Sequence, residues 1–495
     1  MLLGEFGTIA GAQLAEPVPD LGHLGAKVPH QTLASEAVPH MSLQILGKIV
    51  GQFLGQMRGR HDPSQRRNDE ACLRPVWEIW TDRTGALTPA RQTVLLNWTA
   101  TARTSSVEIE DDCIAYEGDL TMSITQTAAA TDALAEPFQV VPNALPAAAD
   151  ERAAILADPH FGTAFTDHMV RIDWSTELGW HDARVTALEP LHLHPGAAVL
   201  HYGQEIFEGL KIYRHPDGAL RTFRPDMNAA RFRTSAARLV LPELPDALFL
   251  ESIEQLISMD AAWVPVKTGH SLYLRPFLIA TEPFLGVRPA AEASYLLIAS
   301  PSGDYFDDPN QGVRLWLSTT YSRAGRGGTG AAKCGGNYAA SLLAQREAKA
   351  QGCQQVLFTD AATNTYVEEA GSMNIFFVID DVVITPPTDG TILEGVTRDS
   401  VLRLAAELGY RTEARPVSVA EWAESARSGA LGEVFAAGTA AVITPIRELV
   451  CDDHVIRTPG EGMGPVASRL HAELTGIQFG QRPDRFGWMH RLRAR

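Results

Sequence analysis

Gly325-Arg326-Gly327-Gly328-Thr329-Gly330-Ala331-Ala332-Lys333-Cys334-Gly335-Gly336-Asn337-Tyr338 is the stretch on which the reading of this chain turns. A strand is expected before it, over 314–320, and a helix after it, over 338–349, closed near Gly352. Its first six residues satisfy G-x-G-x-x-G, but a dinucleotide fingerprint runs straight into a helix and meets an acid at the end of a second strand. Here Lys333 to Gly336 intervene, and the next acid, Glu347, lies on the helix itself. The Walker pattern fails as well, because Gly330 is followed by Ala331. Neither nucleotide motif survives. What is left is one lysine in a glycine-flanked loop, with Tyr338 downstream on the same loop-to-helix junction. Alone, such a lysine is usually just solvated.

Working outward, apolar runs predict strands over 169–174, 219–223, 271–280 and 295–299. Pro225 opens a helix that runs through Arg238, and Ile253, Leu256, Ile257, Ala261 and Val264 mark a second amphipathic helix. Beyond a linker over 304–312, strands are expected over 356–358, 366–368, 375–379 and 382–385. A helix over 397–408 stops at Gly409. Ser418-Val419-Ala420-Glu421 forms a capping box that opens another. A last strand over 433–437 runs into Gly438-Thr439. Strands come in clusters rather than in strict βαβ alternation, which favours two mixed α+β domains over a doubly wound sheet. The expected division is a small α/β domain with an N-terminal arm (122–307), a linker (308–313) and a large domain (314–495). Residues 1–121 show no sustained packing pattern, and Gly47, Gly51 and Gly55 weaken the one helical spacing, over 42–57. They are expected to be a poorly ordered extension or the product of a start codon placed too far upstream.

Composition removes several function classes. The chain has 495 residues, 45% hydrophobic and 20% charged, with a formal net charge of -17. That balance speaks against nucleic-acid binding, which needs clustered cations. No apolar run reaches the roughly 18 residues of a membrane span, and the N-terminus lacks the basic start of a secretory signal. Cys72, Cys113, Cys334, Cys353 and Cys451 are odd in number and scattered, so neither a disulfide framework nor a metal site is expected. The expectation is a cytoplasmic protein.

Company changes the meaning of Lys333. Lys333-Cys334-Gly335-Gly336-Asn337-Tyr338, Glu369-Ala370-Gly371-Ser372-Met373-Asn374 and Gly438-Thr439-Ala440-Ala441 resemble the signature segments of branched-chain amino acid aminotransferases. Those are fold type IV pyridoxal-phosphate enzymes. The likeness extends to Phe165-Thr166-Asp167-His168-Met169, to the segment from Tyr202 to Gly209, and to Tyr273-Leu274-Arg275-Pro276. It covers nearly everything from about residue 155 onward, in order, and nothing in 1–121. The resemblance implies a two-domain fold type IV enzyme, a homodimer, and pyridoxal 5'-phosphate as cofactor. It implies amino transfer between L-leucine, L-isoleucine or L-valine and 2-oxoglutarate through a Schiff base, by a ping-pong mechanism.

Carried over position by position, the resemblance makes Lys333 the Schiff-base lysine and proton shuttle. Tyr338 then bonds the cofactor's phenolic oxygen, and Glu369 its pyridine nitrogen. Arg231, Val396, Thr397 and Thr439 hold the phosphate, with Val396 and Thr397 at a helix start where free N–H groups favour an anion. Tyr273 and Arg275, two apart on a strand, share one face and suit a pocket for an aliphatic side chain or a distal carboxylate. Phe165, Tyr202, Phe207 and Tyr305 form its walls. The N–H groups of Thr439 and Ala440 receive the substrate α-carboxylate. A loop at Leu285-Gly286-Val287 reaches into the partner's pocket. Aromatics at such spacing are otherwise mostly core, and a lone arginine mostly a salt-bridge partner. D-amino-acid aminotransferase and aminodeoxychorismate lyase share the fold and are the nearest alternatives; a non-catalytic cofactor carrier is the alternative of another class. The Tyr273-x-Arg275 pair favours the branched-chain enzyme, and a carrier needs no substrate arginine.

Overall fold

In the computed structural model the described residues are 94–96, 122–124, 137–303, 312–460 and 462–493. Within the first 121 residues this is one short strand, β1 (Val94–Leu96), paired antiparallel with β2 (Met122–Ile124). The remaining expectations for the extension, Tyr305 and residues 304–311 of the linker lie outside the described residues. All other described residues belong to one compact unit, Thr131–Arg495.

One sheet of this unit contains β3 (Gln139–Val140), β4 (His168–Ser175), β5 (Gly179–Ala187), β6 (Glu205–Phe207), β7 (Leu210–Arg214), β8 (Leu220–Phe223), β9 (Ser271–Ala280) and β10 (Glu292–Ser302). The C-terminal strand β20 (Met489–Arg491) returns to its edge, giving the order β20-β8-β7-β9-β10-β4-β5-β3, with β6 also on β9. The expected bounds of β9 are the observed ones. Its period of two sends Leu272, Leu274 and Leu278 into the core and leaves Tyr273 and Arg275 on the opposite face. Two helices, α3 (Pro225–Arg238) and α4 (Asp246–Asp260), follow the short α1 (Ala149–Ala157) and α2 (Ala198–Tyr202) in the chain. Phe232 of α3 meets Tyr295 of β10 edge to face at 5.7 Å, and the Tyr295 hydroxyl lies 2.8 Å from Ser252 Oγ of α4. The polar tip is thus satisfied inside an apolar layer. Truncating Leu274, fully buried, to alanine costs about 2–5 kcal/mol.

The second sheet contains β11 (Val313–Ser318), β12 (Gln355–Thr359), β13 (Val367–Ala370), β14 (Met373–Ile379), β15 (Val382–Thr385), β16 (Arg411–Ala414), β17 (Leu431–Gly438), β18 (Val442–Val450) and β19 (Val455–Arg457). Its order is β13-β12-β11-β18-β17-β14-β15-β16, and β13 also pairs with β14. Six strands therefore close into a ring. Every residue of β14 is buried, so the strand reads as a continuous apolar run rather than an alternation. Phe377 packs on Trp422 on one face, and Phe376 stacks on Phe435 at 5.0 Å on the other. Around this sheet lie α5 (Gly335–Ala350), α6 (Val396–Glu407), α7 (Val419–Ser428) and α8 (Pro465–Gln478).

The α+β class and the clustering of strands are as expected, with three corrections. The strand over 433–437 is not the last: β18 follows and sits centrally between β11 and β17. Its internal Pro445 lacks an N–H and masked it, since proline usually demotes a strand. The helix expected from Tyr338 already begins at Gly335. Only half of the capping box forms. Ser418 Oγ accepts from the Glu421 N–H at 3.0 Å, while the Glu421 carboxylate turns to Arg415. Among the described residues no helix is long and apolar enough to cross a membrane.

Candidate active site

Lys333 stands just before α5, and its backbone is fastened on both sides. Its N–H donates to Ser235 Oγ on α3 at 3.0 Å, and its carbonyl accepts from the Phe207 N–H at 2.9 Å. Asn337, buried, donates from Nδ2 to the carbonyls of Thr329 (2.9 Å) and Ala332 (2.8 Å). Its Oδ1 accepts from the Thr329 hydroxyl at 2.7 Å. The glycine loop is thus stitched shut around one asparagine. Glu205 Oε1 accepts the Gly335 N–H at the start of α5. A Cβ on Gly335 would come within 2.1 Å of that oxygen, so a larger residue there would displace the Glu205 carboxylate.

From this anchorage the Lys333 amine reaches the Tyr338 hydroxyl at 2.7 Å and lies 4.7 Å from the centre of the Phe207 ring. Burial lowers its pKa to about 8, with Arg231 and Arg275 pushing the same way and Glu208 opposing. An amine so placed is partly neutral near pH 8 and available as a nucleophile. Burial, with Glu369 adding to it, holds the Tyr338 phenol up at about 12, so it stays protonated and can donate.

Two cavities meet at Lys333 and Tyr338. One, of about 270 Å³, also includes Phe161, Arg231, Tyr273, Arg275 and the start of α6. The other, of about 220 Å³, includes Arg323, Glu369 and Leu393. At the first end Arg231 is held by Glu208, which is fully buried: Nε donates to Oε1 at 2.7 Å and Nη2 to Oε2 at 2.9 Å. Asn228 Nδ2 (2.7 Å) and the Gly209 N–H (3.0 Å) complete the shell of Glu208. Burial opposes its ionisation, but Arg231 dominates among the donors and holds the Glu208 carboxyl below its usual range. Gly395 N-caps α6, so the first free N–H groups of the helix, at Val396 and Thr397, open into the same cleft with Arg231 and Thr439. A twelve-residue helix with a guanidinium at its N-terminus is an anion site by charge and by donors. At the other end Glu369 Oε1 accepts from the Leu393 N–H at 2.8 Å, and Oε2 lies 3.0 Å from Arg323 Nε. Burial is the largest influence there and raises the Glu369 pKa, against the pull of Arg323.

The family model described as "Amino-transferase class IV" matches residues 205–449. The branched-chain-amino-acid aminotransferase of Mycolicibacterium smegmatis is 52% identical over 360 residues, 72% of this chain and 98% of that protein. The one from Mycobacterium tuberculosis strain H37Rv gives the same figures. The chain belongs to the branched-chain aminotransferase family. Its fold is accordingly type IV. Among solved structures, the Escherichia coli branched-chain amino acid aminotransferase is similar with a TM-score of 0.54 and 30% identity, covering 62% of this chain and 95% of that one. The T.th. enzyme of the same name, solved with pyridoxamine 5'-phosphate, also has a TM-score of 0.54 and 30% identity, covering 64% and 97%.

For this family member the cleft gathers most of the residues that sequence singled out. Lys333, Tyr338, Arg231, Phe207, Tyr273, Arg275, Val396, Thr397, Thr439 and Ala440 all face the first cavity, and Glu369 faces the second. Four others are elsewhere. Phe165 and Tyr202, expected as walls, are 43% and 39% exposed and face neither cavity. Leu285 and Val287 are 74% and 89% exposed. The Tyr202 hydroxyl donates to the Leu285 carbonyl, which ties these exposed groups into one knob. The wall expected of Phe165 is supplied by Phe161, whose ring meets Tyr273 edge to face at 4.9 Å. Both phenylalanines sit in one short segment, outside regular helix and strand, so no periodicity could choose between them. Lys211 was also missed: its amine donates to the Ala440 carbonyl at 2.8 Å and pins the Thr439–Ala440 turn. A Cβ on Gly209 would lie 1.9 Å from the Tyr273 hydroxyl, so a larger residue there would push that ring aside.

Proposed function

We propose that this aminotransferase moves the amino group between L-leucine, L-isoleucine or L-valine and 2-oxoglutarate, by a ping-pong mechanism on pyridoxal 5'-phosphate bound to Lys333. The observation that carries the reading is the Lys333–Tyr338 contact, set between an anion site at Arg231 and a carboxylate at Glu369. These residues fit the cofactor, whose phosphate is anionic and whose ring nitrogen is cationic when protonated. When bound, the cofactor supplies an electron-poor ring that stabilises the carbanion formed at substrate Cα.

The chain's own residues do the rest. Lys333 would move the proton between substrate Cα and C4′ of the bound cofactor. Tyr338 donates to the phenolic oxygen. Glu369 bonds the ring nitrogen and favours its protonated form. Arg231, the Val396 and Thr397 N–H groups and Thr439 hold the phosphate, and Glu208 keeps Arg231 in place. The Thr439 and Ala440 N–H groups receive the substrate α-carboxylate on the turn that Lys211 pins. Phe161, Phe207 and Tyr273 accept the aliphatic side chain, and Arg275 accepts the distal carboxylate of glutamate. The T.th. structure with N-(5'-phosphopyridoxyl)-L-glutamate and the Thermoproteus uzoniensis structure with norvaline support both substrate kinds.

The reading carries a division into a small domain (122–307) and a large cofactor domain (314–495). It also carries a homodimer, in which the exposed knob of Tyr202, Leu285 and Val287 completes the partner's pocket. Sedimentation of the purified enzyme should give twice the chain mass. The deciding experiment is an amino-donor panel with 2-oxoglutarate as acceptor. Turnover with the three branched-chain L-amino acids is expected; activity with D-alanine and none with L-leucine would overturn the assignment.

A further inference from the structure

We infer that Arg323 is a positioning residue that sets where the proton shared between Glu369 and the cofactor's ring nitrogen resides, an inference that rests on the pyridoxal-phosphate reading. Arg323 lies just ahead of the glycine loop and is almost fully buried. Its Nε faces Glu369 Oε2 at 3.0 Å, and its Nη2 donates to the carbonyls of Thr391 and Gly330. Gly330 is pressed so closely on the Thr391 carbonyl that a Cβ would come within 2.3 Å of its oxygen. The last glycine of the nucleotide-like loop therefore cradles no phosphate; it lets one guanidinium bridge two carbonyls and still reach the carboxylate.

Glu368, the neighbour in sequence, is buried too, and its Oε1 accepts from the Thr391 hydroxyl at 2.6 Å. The same hydroxyl lies 3.1 Å from Asp389. Burial raises the pKa of Glu368, and Arg323 counters it. Two carboxylates and one guanidinium leave this buried cluster one negative charge in excess when all are ionised. That excess is what a protonated ring nitrogen neutralises. Lys333, Arg231 and Tyr338 are the other ionisable groups that bear on Glu369.

A hydrogen bond between Glu369 and a ring nitrogen holds one proton between two bases. Arg323 adjoins the carboxylate and is one group further from the nitrogen. Its charge therefore disfavours the proton on Glu369 more than on the ring. With the arginine gone, burial makes Glu369 the stronger base and the ring keeps less positive charge. The charge on the ring lowers the pKa of the lysine–cofactor linkage, which is read directly from the pH titration of its absorption band.

The test compares holoenzyme of the wild type with Arg323→Met, Arg323→Gln and Arg323→Lys, by that titration and by cofactor dissociation followed by fluorescence. Met and Gln should raise the titration midpoint by about one pH unit or more and weaken cofactor binding at least tenfold, whereas Lys should stay near the wild-type midpoint. Midpoints unchanged in Met and Gln, or Lys shifted as far as they are, would overturn the inference. If Met does not fold, Gln against Lys gives the same comparison. A wild-type protein that develops no cofactor band would instead refute the pyridoxal-phosphate reading itself.

Discussion

Two glutamate–arginine pairs stand at opposite ends of the cleft, and they are built in opposite senses. At one end Glu208 is the support and Arg231 the group presented to the cavity. At the other Arg323 is the support and Glu369 is presented. Glu208 has four donors on its two oxygens and a lowered pKa. Glu369 has one backbone N–H and one ion-pair partner, and a raised pKa. The same two residue types thus make a cationic end and an anionic end. What distinguishes them is which partner has its bonding capacity filled by protein. A saturated buried carboxylate serves structure, and an unsaturated one is reserved for a ligand.

The largest expected effect lies between the two pairs. Lys333→Ala should lower turnover by at least about a thousandfold, measured with L-leucine and 2-oxoglutarate. Retained activity would leave both pairs without a reaction to serve.

Thermal or urea unfolding of cofactor-free protein then tests the asymmetry itself. Glu208→Gln breaks a saturated buried pair and should cost about 3 kcal/mol. Glu369→Gln should be neutral or stabilising near pH 7. The signs follow from the pKa directions. Glu208, with its folded pKa lowered, contributes stability above the unfolded carboxyl pKa that is lost as pH falls through the folded value. Glu369, with its folded pKa raised by burial, contributes stability that is present below the unfolded carboxyl pKa and is lost as pH rises through the folded value. Equal losses for the two variants would dissolve the distinction.

A third test sharpens the region between the ends. The rate at which cofactor-free enzyme combines with pyridoxal phosphate should rise with pH and level off above about 8, because only the neutral Lys333 amine attacks. A flat profile in stopped-flow absorbance would contradict this. Next, Arg275→Leu should lower kcat/KM for glutamate about a hundredfold relative to leucine, the worth of about 2.7 kcal/mol from a lost charged hydrogen bond; parallel losses would deny it a part in discrimination. Smallest of all, Ser418→Ala removes a helix cap remote from both pairs. It should cost about 1 kcal/mol of stability and leave kinetics unchanged.

How much of this was legible in sequence depended on whether the signal was local. The bounds of β9, the Pro225 helix start and, to within one residue, the helix expected over 397–408 came from periodicity and caps, which act over a few residues. So did the shared face of Tyr273 and Arg275. Arg323 did not, because it occupies coil, its partner Glu369 lies on another strand, and no spacing links the two. Glu208 stood inside a recognised segment, yet its role depends on Arg231 and Asn228, brought to it by α3. Phe161 was passed over because the quoted motif begins at Phe165, and only the fold shows which ring enters the cleft. Lys211 was invisible for the same reason, since its bond to Ala440 spans the two sheets.

The fastening of Lys333 also bears on how the molecule folds. Its N–H is tied to Ser235 and its carbonyl to Phe207, partners about a hundred residues earlier in the chain, while Tyr338 and Glu369 come after it. Contacts of such sequence separation close late, once the loop entropy between them has been offset by other structure. A nascent chain therefore cannot present a finished lysine until both sheets have formed. On the function proposed above, capture of the cofactor by this amine would report completed folding.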